Sequence, residues 1–488
     1  MRYAMNYKLI GKILAFILIL EAIFMVPAWA ISLIYHETNA GFAILKSQLI
    51  TLLVAGILLL ATRNASHHFY AKEGLVTTGA AWIVLSLLGA LPFWISREIP
   101  QYIDAVFETV SGFTTTGSSI LSNVEAMSHG LLYWRSFSHW VGGMGVLVFL
   151  LAIVPLSGKN EGFTLHILRA ESPGPSVGKL VPRMRQTAKI LYLIYVALTV
   201  LDMIFLMLGG MSPFDSVCHA FGTAGTGGFG VRGDSFASYS PYLQNVTTVF
   251  MLLFGVNFSC YYLLLIKRVK DVLKDEELRL YITIVALSTL LITWNISGLY
   301  SSIGESLRHA AFQVATMIST TGYATTDFDL WPSFSKAIML FLMLSGACAG
   351  STGGGIKVAR LMLLMKSLRR NFHNVLHPSE IRKVRVNDVP VDEKVMNNVN
   401  GYLIAYVAIV VFSFLIISLD GFSMETNFSA VMATFNNIGP GFQAVGPTCN
   451  FSAYSVLSKI VMIFDMLAGR LEILPILVFF SRSTWKKN

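Results

Sequence analysis

Charged side chains are scarce in this chain. Only 13% of its 488 residues are Asp, Glu, Lys or Arg, against 54% hydrophobic. So little charge cannot cover the surface of a soluble domain of this length, and the composition reads as a polytopic membrane protein. Cysteine is nearly absent too. Cys218, Cys260, Cys348 and Cys449 lie scattered, without the paired spacing of a zinc site or a disulfide framework. No hydrolytic constellation stands out. His139 and His219 stand singly near aromatic residues, which points to structural roles, and an embedded hydrolase would need a His or Asp brought to a serine. The string GSTGGGIK at 350–357 lacks the spacing of a phosphate-cradling loop and sits within an apolar stretch. The net charge of +9 would suit a nucleic-acid partner, but its distribution follows membrane topology instead. The chain is expected to be no enzyme and to bind no nucleic acid.

What the chain has is a recurring polar strip. Residues 104–120 read DAVFETVSGFTTTGSSI: a short apolar helix running into a stretch too rich in glycine and hydroxyls to stay helical. The design returns as FDSVCHAFGTAGTGGFG at 214–230, AFQVATMISTTGYA at 311–324 and SAVMATFNNIGPGF at 429–442. Apolar segments of membrane-spanning length flank each copy. Non-helical backbone at membrane depth survives only when buried in protein or lining a wet cavity. A cation entering a bilayer must exchange its water for oxygens, which backbone carbonyls can supply. Ordinary re-entrant turns or transporter helix breaks are the plainer alternative for one copy, and four copies in order argue against it.

Ten spans are expected, at 10–35, 42–62, 74–95, 131–155, 190–208, 243–266, 280–294, 335–365, 401–419 and 455–480. The first is too long for a signal-peptide core and is read as a retained helix. Ten spans and four half-helices resolve into an N-terminal pair (1–70) and four span–half-helix–span units, at 71–158, 159–270, 271–370 and 371–488. Each unit begins and ends on one side, so the four run parallel and can ring an axis. An inverted-repeat transporter would alternate. The segments holding the half-helices (96–130, 213–242, 300–335, 420–458) contain three basic residues, Arg97, Arg232 and Arg308, and eleven acids. The opposite loops contain twenty basic residues. By the positive-inside rule the half-helices enter from outside, and both termini are cytoplasmic.

The ordered set SGFTTTG, GTAGTGGF, ISTTGY and NNIGPGF, with the glycine-rich 350–357 and GRLEI at 469–473, resembles the Trk/Ktr/HKT superfamily of potassium transporters over essentially the whole chain. The extra N-terminal pair is similar to that of the bacterial TrkH/TrkG membrane subunits. The resemblance implies an all-α fold of four parallel M1–pore-helix–M2 repeats around a pseudo-fourfold pore. It also implies potassium uptake across the inner membrane. The filter residues it implies are Thr115, Thr116 and Gly117; Thr226 and Gly227; Thr320, Thr321 and Gly322; and Asn437, Ile438 and Gly439. In the second strip, Gly225 and Gly228 are alternatives to Gly227. One glycine per unit implies a filter shorter than that of tetrameric potassium channels. A sodium or sodium-coupled potassium transporter is the alternative, and channel-like flow and ion symport both stay open. The partners implied are the potassium ion, membrane lipid, a second copy of the chain in a homodimer, and a cytosolic nucleotide-binding regulatory subunit. The basic loop 357–394 is long enough to dock such a partner.

Two features lie below the strips. Gly350, Gly353, Gly354 and Gly355 interrupt the expected span 335–365, either as helix-packing glycines or, as the resemblance implies, as a flexible loop obstructing the pore. Arg470 sits in the last span, where a charge is expensive and defaults to a functional expectation. Either Asp465 holds it in a structural pair, or it projects toward the pore or the glycine loop. Glu472, two residues on, would point elsewhere on a helix.

Overall fold

A computed structural model describes residues 5–65, 70–145, 184–380 and 382–485. Most of the basic stretch 159–189 and the end of the expected span 131–155 lie outside them. The described chain is mostly helical; its one sheet there is a two-stranded antiparallel hairpin, Arg385–Val386 with Val389–Pro390. Asn387 and Asp388 make its turn in the left-handed region, which Asn and Asp tolerate.

Six described helices are long and apolar enough to cross a membrane: Tyr7–Ile34, Thr38–Ala61, Lys72–Ile95, Lys189–Leu208, Glu276–Ile296 and Glu393–Asp420. Their outer faces expose large apolar residues such as Phe42, Leu60, Leu290, Trp294, Ile404 and Phe412. Polar residues such as Thr114, Thr223, Thr320 and Asn437 are instead buried. That inversion suits lipid rather than water as the surrounding solvent. The chain is a membrane protein with several membrane-spanning helices.

The other four expected spans, all second spans of a unit, are not described as single helices from end to end. His129–Gly143 covers only the start of 131–155. The span 243–266 is two helices, Pro241–Phe254 and Phe258–Leu265, bent by 89°. Ser333–Ser345 and Val358–Leu376 are separated by the non-helical 346–357, which settles those glycines as loop rather than helix packing. Val456–Arg470 and Leu474–Phe480 are separated at 471–473, where Glu472 and Ile473 have φ of 57° and 68°.

The four half-helices are Tyr102–Phe113, Pro213–Gly225, Ile303–Ile318 and Met424–Phe435. Ser212, Ser302 and Ser423 cap the last three by accepting from Asp215, Glu305 and Thr426 N–H. Each carries an acid in its first turn (Asp104, Asp215, Glu305, Glu425), which opposes the partial positive charge of a helix start. Each also packs against the second span of another unit. Pro213–Gly225 meets His129–Gly143, Ile303–Ile318 meets Pro241–Phe254, Met424–Phe435 meets Ser333–Ser345, and Tyr102–Phe113 meets Val456–Arg470. Contact therefore passes around the four expected units in the order one, two, three, four and back to one.

Candidate functional site

All four half-helices end in the same way. A residue in the left-handed region follows the last turn: Thr115 (φ 54°), Thr226 (φ 56°), Thr320 (φ 61°) and Asn437 (φ 55°). Its N–H bonds back to Gly112, Thr223, Met317 and Thr434 carbonyls respectively. The next N–H, of Thr116, Gly227, Thr321 and Ile438, reaches five residues back at 2.8–2.9 Å. These paired bonds satisfy helix carbonyls that would otherwise be orphaned, a Schellman-like stop. Two places after the left-handed residue stands a glycine of positive φ: Gly117 (83°), Gly228 (78°), Gly322 (91°) and Gly439 (102°).

This register aligns Gly228, not Gly227, with Gly117, Gly322 and Gly439. Gly227 occupies the place of Thr116, Thr321 and Ile438. Sequence could not choose within GTAGTGGF, because the hydrogen bonds alone fix the offset.

The strips meet in a closed ring. A Cβ built on Gly117 would lie 2.0 Å from Gly227 O, one on Gly228 2.0 Å from Thr321 O, and one on Gly322 2.1 Å from Ile438 O. One on Gly439 would lie 3.0 Å from Thr116 O. Both the positive φ and this close approach demand glycine. Thr115, Thr116, Thr226, Thr320, Thr321, Asn437 and Ile438 are all buried around the ring. Side chains brace it: Thr114 and Thr116 hydroxyls lie 2.7 Å apart, as do those of Ser319 and Thr321. His139 ties the first strip to the second. Its Nδ1 lies 2.8 Å from Gly112 O, and its Nε2 accepts from Phe229 N–H at 3.3 Å. A neutral ring protonated on Nδ1 satisfies both.

The loop 346–357 sits against strips three and four. Gly354 N–H donates to Thr320 Oγ1 at 2.6 Å, and a Cβ there would lie 2.4 Å from Asn436 O. A Cβ on Gly353 would lie 2.8 Å from Ser319 O. Gly350 and Gly355 turn the loop with φ of 71° and 74°. On its other side it docks into the bend of unit two, where Cys348 N–H donates to Gly255 O and Phe258 N–H to Gly350 O, both at 3.0 Å. Glu277 Oε1 accepts from Ala349 N–H at 2.6 Å, and Lys357 Nζ donates to Gly353 O. The loop is thus hydrogen-bonded to units two and three and packed against unit four.

Arg470 hydrogen-bonds the loop from unit four. Its Nη1 donates to Thr352 O at 2.7 Å, and its Nη2 donates to Gly142 and Gly143 carbonyls at 2.6 and 2.8 Å. Asp465 is directed elsewhere, accepting from Ser413 Oγ at 2.7 Å. Glu472 pairs with Arg360. Of the two expectations for Arg470, contact with the glycine loop is the one these bonds match.

The charge count along the sequence stopped one residue short at two places. Lys336 reaches Asp329 at 3.3 Å and Glu425 at 3.5 Å, and Lys459 reaches Asp104 at 2.7 Å. Both sit on the acidic side and link neighbouring units near the ends where the half-helices begin.

Residues 40–487 match the family model described as TrkH, cation transport protein. The Trk system potassium uptake protein TrkH of Salmonella typhimurium is 34% identical over 491 residues, covering 99% of this chain and 100% of that one. TrkG of Escherichia coli, from the same system, is 31% identical over 489 residues, covering 99% of both chains. The crystal structure of the potassium transporter TrkH from Vibrio parahaemolyticus superposes with a TM-score of 0.88 at 30% identity, covering 99% of this chain and 100% of that one. The ring of strips, the loop docked on it and the full-length likeness agree, and the chain belongs to the TrkH family of cation transport proteins.

Proposed function

We propose that this chain takes up potassium across a bacterial inner membrane, with the ring of four strips as a backbone-carbonyl selectivity filter. The observation that supports the filter is the repeated register: Gly117, Gly228, Gly322 and Gly439 stand at equivalent places, each against a carbonyl of the next strip. Four equivalent turns offer a dehydrating cation equivalent sets of oxygens. The half-helix C-terminal ends add partial negative charge there. The names of the relatives support potassium, and none of them supports the sodium or sodium-coupled alternative. Potassium is the cargo in this reading, not a resident cofactor.

The loop 346–357 is the gate, with Gly350, Gly353, Gly354 and Gly355 shaping it and Arg470 latching it. The half-helices enter from the outer face, and both termini are cytoplasmic. A homodimer and a cytosolic nucleotide-binding regulatory subunit belong to the same reading, the latter docking on the basic stretch 357–394. Rubidium-86 uptake in a potassium-uptake-deficient bacterium, with sodium varied, tests the filter. A serine at Gly322 puts a Cβ against Ile438 O. Gly322→Ser is expected to cut discrimination between rubidium and sodium on the order of tenfold, the equivalent of about 1.4 kcal/mol. Unchanged discrimination in a folded variant removes Gly322 from the filter.

A further inference from the structure

The four joints of the ring are not chemically alike. Strips four and one are stitched by Ser118 Oγ–H to Gly439 O and by Asn437 Nδ2–H to Thr116 Oγ1, both at 2.9 Å. Strips two and three share Tyr323, whose hydroxyl reaches His219 O at 3.1 Å and Phe229 O at 3.3 Å. Strips one and two are joined by a buried ion pair. Arg135 Nε donates to Glu108 Oε1 at 2.6 Å, with side-chain exposures of 3% and 0%.

The guanidinium uses its whole fork. Nη1 donates to Gly230 O at 3.0 Å, Nη2 to Ser119 Oγ at 3.2 Å, and the plane lies 3.5 Å from the Phe229 ring centroid. Glu108 completes the joint by accepting from Ser119 Oγ and from Ile120 N–H at 3.0 Å. Ser119 and Ile120 directly follow the first ring segment, and Phe229 and Gly230 directly follow the second.

We propose that Arg135, acting with Glu108, is a specificity-determining positioning residue that sets the spacing between the outer ends of the first and second strips. The proposal rests on the filter reading above. A buried ion pair is poor value as glue, because desolvating two charges cancels most of their attraction and apolar side chains would hold the helices as well. An apolar pair could not fix directions. A planar fork can hold one carboxylate, one hydroxyl and one carbonyl in a set geometry at once. Two cations that differ by a fraction of an ångström in radius are told apart only if the oxygens around them keep their spacing or their number. The strap governs that spacing at one joint of four.

Arg135→Lys keeps the charge opposite Glu108 and loses the fork. Rubidium-86 uptake competed by potassium or sodium, scaled to the amount of protein in the membrane, gives the readout. The variant is expected to accumulate like the parent while its discrimination against sodium falls on the order of tenfold, about the worth of one charged hydrogen bond. Parental discrimination in folded Arg135→Lys overturns the proposal. If Arg135→Lys does not accumulate, Phe229→Leu carries the test, since it takes the aromatic face from under the guanidinium and keeps the space filled. It is expected to shift the same ratio in the same direction, and parental discrimination there overturns the strap. Gly117→Ser, measured alongside, separates strap from filter. A shift in Gly117→Ser with none in Arg135→Lys removes the strap and leaves the filter, whereas no shift in Gly117→Ser removes both.

Discussion

Arg470 bonds to carbonyls of two distant segments, and that choice of partner decides what its removal does. A guanidinium stays charged at any relevant pH, so buried oxygens must solvate it. Arg470→Ala unlatches Thr352 from Gly142 and Gly143, and it takes a positive charge away from the loop 346–357, the proposed gate. Rubidium flux per folded protein is expected to rise several-fold in Arg470→Ala and less in Arg470→Lys, which keeps a point charge; a few-fold change corresponds to about 1 kcal/mol. Adding Asp465→Asn is expected to change neither expression nor flux of Arg470→Ala, because Asp465 bonds to Ser413. Rescue by Asp465→Asn would show the pair to be structural. At this scale the sequence was only partly legible. Helical spacing correctly sent Glu472 away from Arg470, but for the wrong reason. The helix has already ended there, and the positive φ of two non-glycine residues carries Glu472 to Arg360. In the second strip, three glycines within four residues hid the register that a single hydrogen-bonded turn reveals.

Among the elements, the first spans and the half-helices were the most readable, because their long apolar runs and capped starts are local properties. Three second spans are broken within the described residues, and only the break at 346–357 had been expected, from its glycines. The break at 255–257 had only two local signals, Gly255 and the capping Asn257, whose side chain accepts from Ser259 N–H at 2.9 Å. It is held open by a partner, the loop 346–357, which bonds to Gly255 and Phe258 from far along the chain. A loop fastened this way has a definite shape, and under the proposed function that shape obstructs the pore. Deleting 350–354 is expected to raise rubidium conduction by severalfold and to weaken its control by any cytosolic partner. Flux measured in proteoliposomes at equal protein content checks this, and normal flux in a folded deletion counts against the gate. Gly346 and Gly355 are left in place because they close the loop on itself: a Cβ on Gly355 would lie 2.7 Å from Gly346 Cα.

For the whole molecule, the asymmetry of charge survives the structure with one amendment. Lys336 and Lys459 raise the basic count on the half-helix side to five, still well below its eleven acids. Four of those acids stand in the first turns of half-helices, so each has a local electrostatic role as well as a share in any cation-attracting field. Sidedness is open to direct test. Asn123 and Lys270 are both exposed, and a cysteine at Asn123 is expected to react with an impermeant thiol reagent in intact cells. One at Lys270 is expected to react only after permeabilisation. Cys449, the one exposed native cysteine, is first replaced by serine. The reverse labelling pattern would invert the topology and the side from which ions enter.

The ring of strips is written once along a single chain, and that has a genetic consequence. In an assembly of four identical subunits, every substitution at such a ring is copied four times, and most changes are ruinous. Here a substitution lands in one quadrant and leaves three intact. The arginine, tyrosine and asparagine at three different joints are differences that such an arrangement permits: each quarter can change while its neighbours keep theirs.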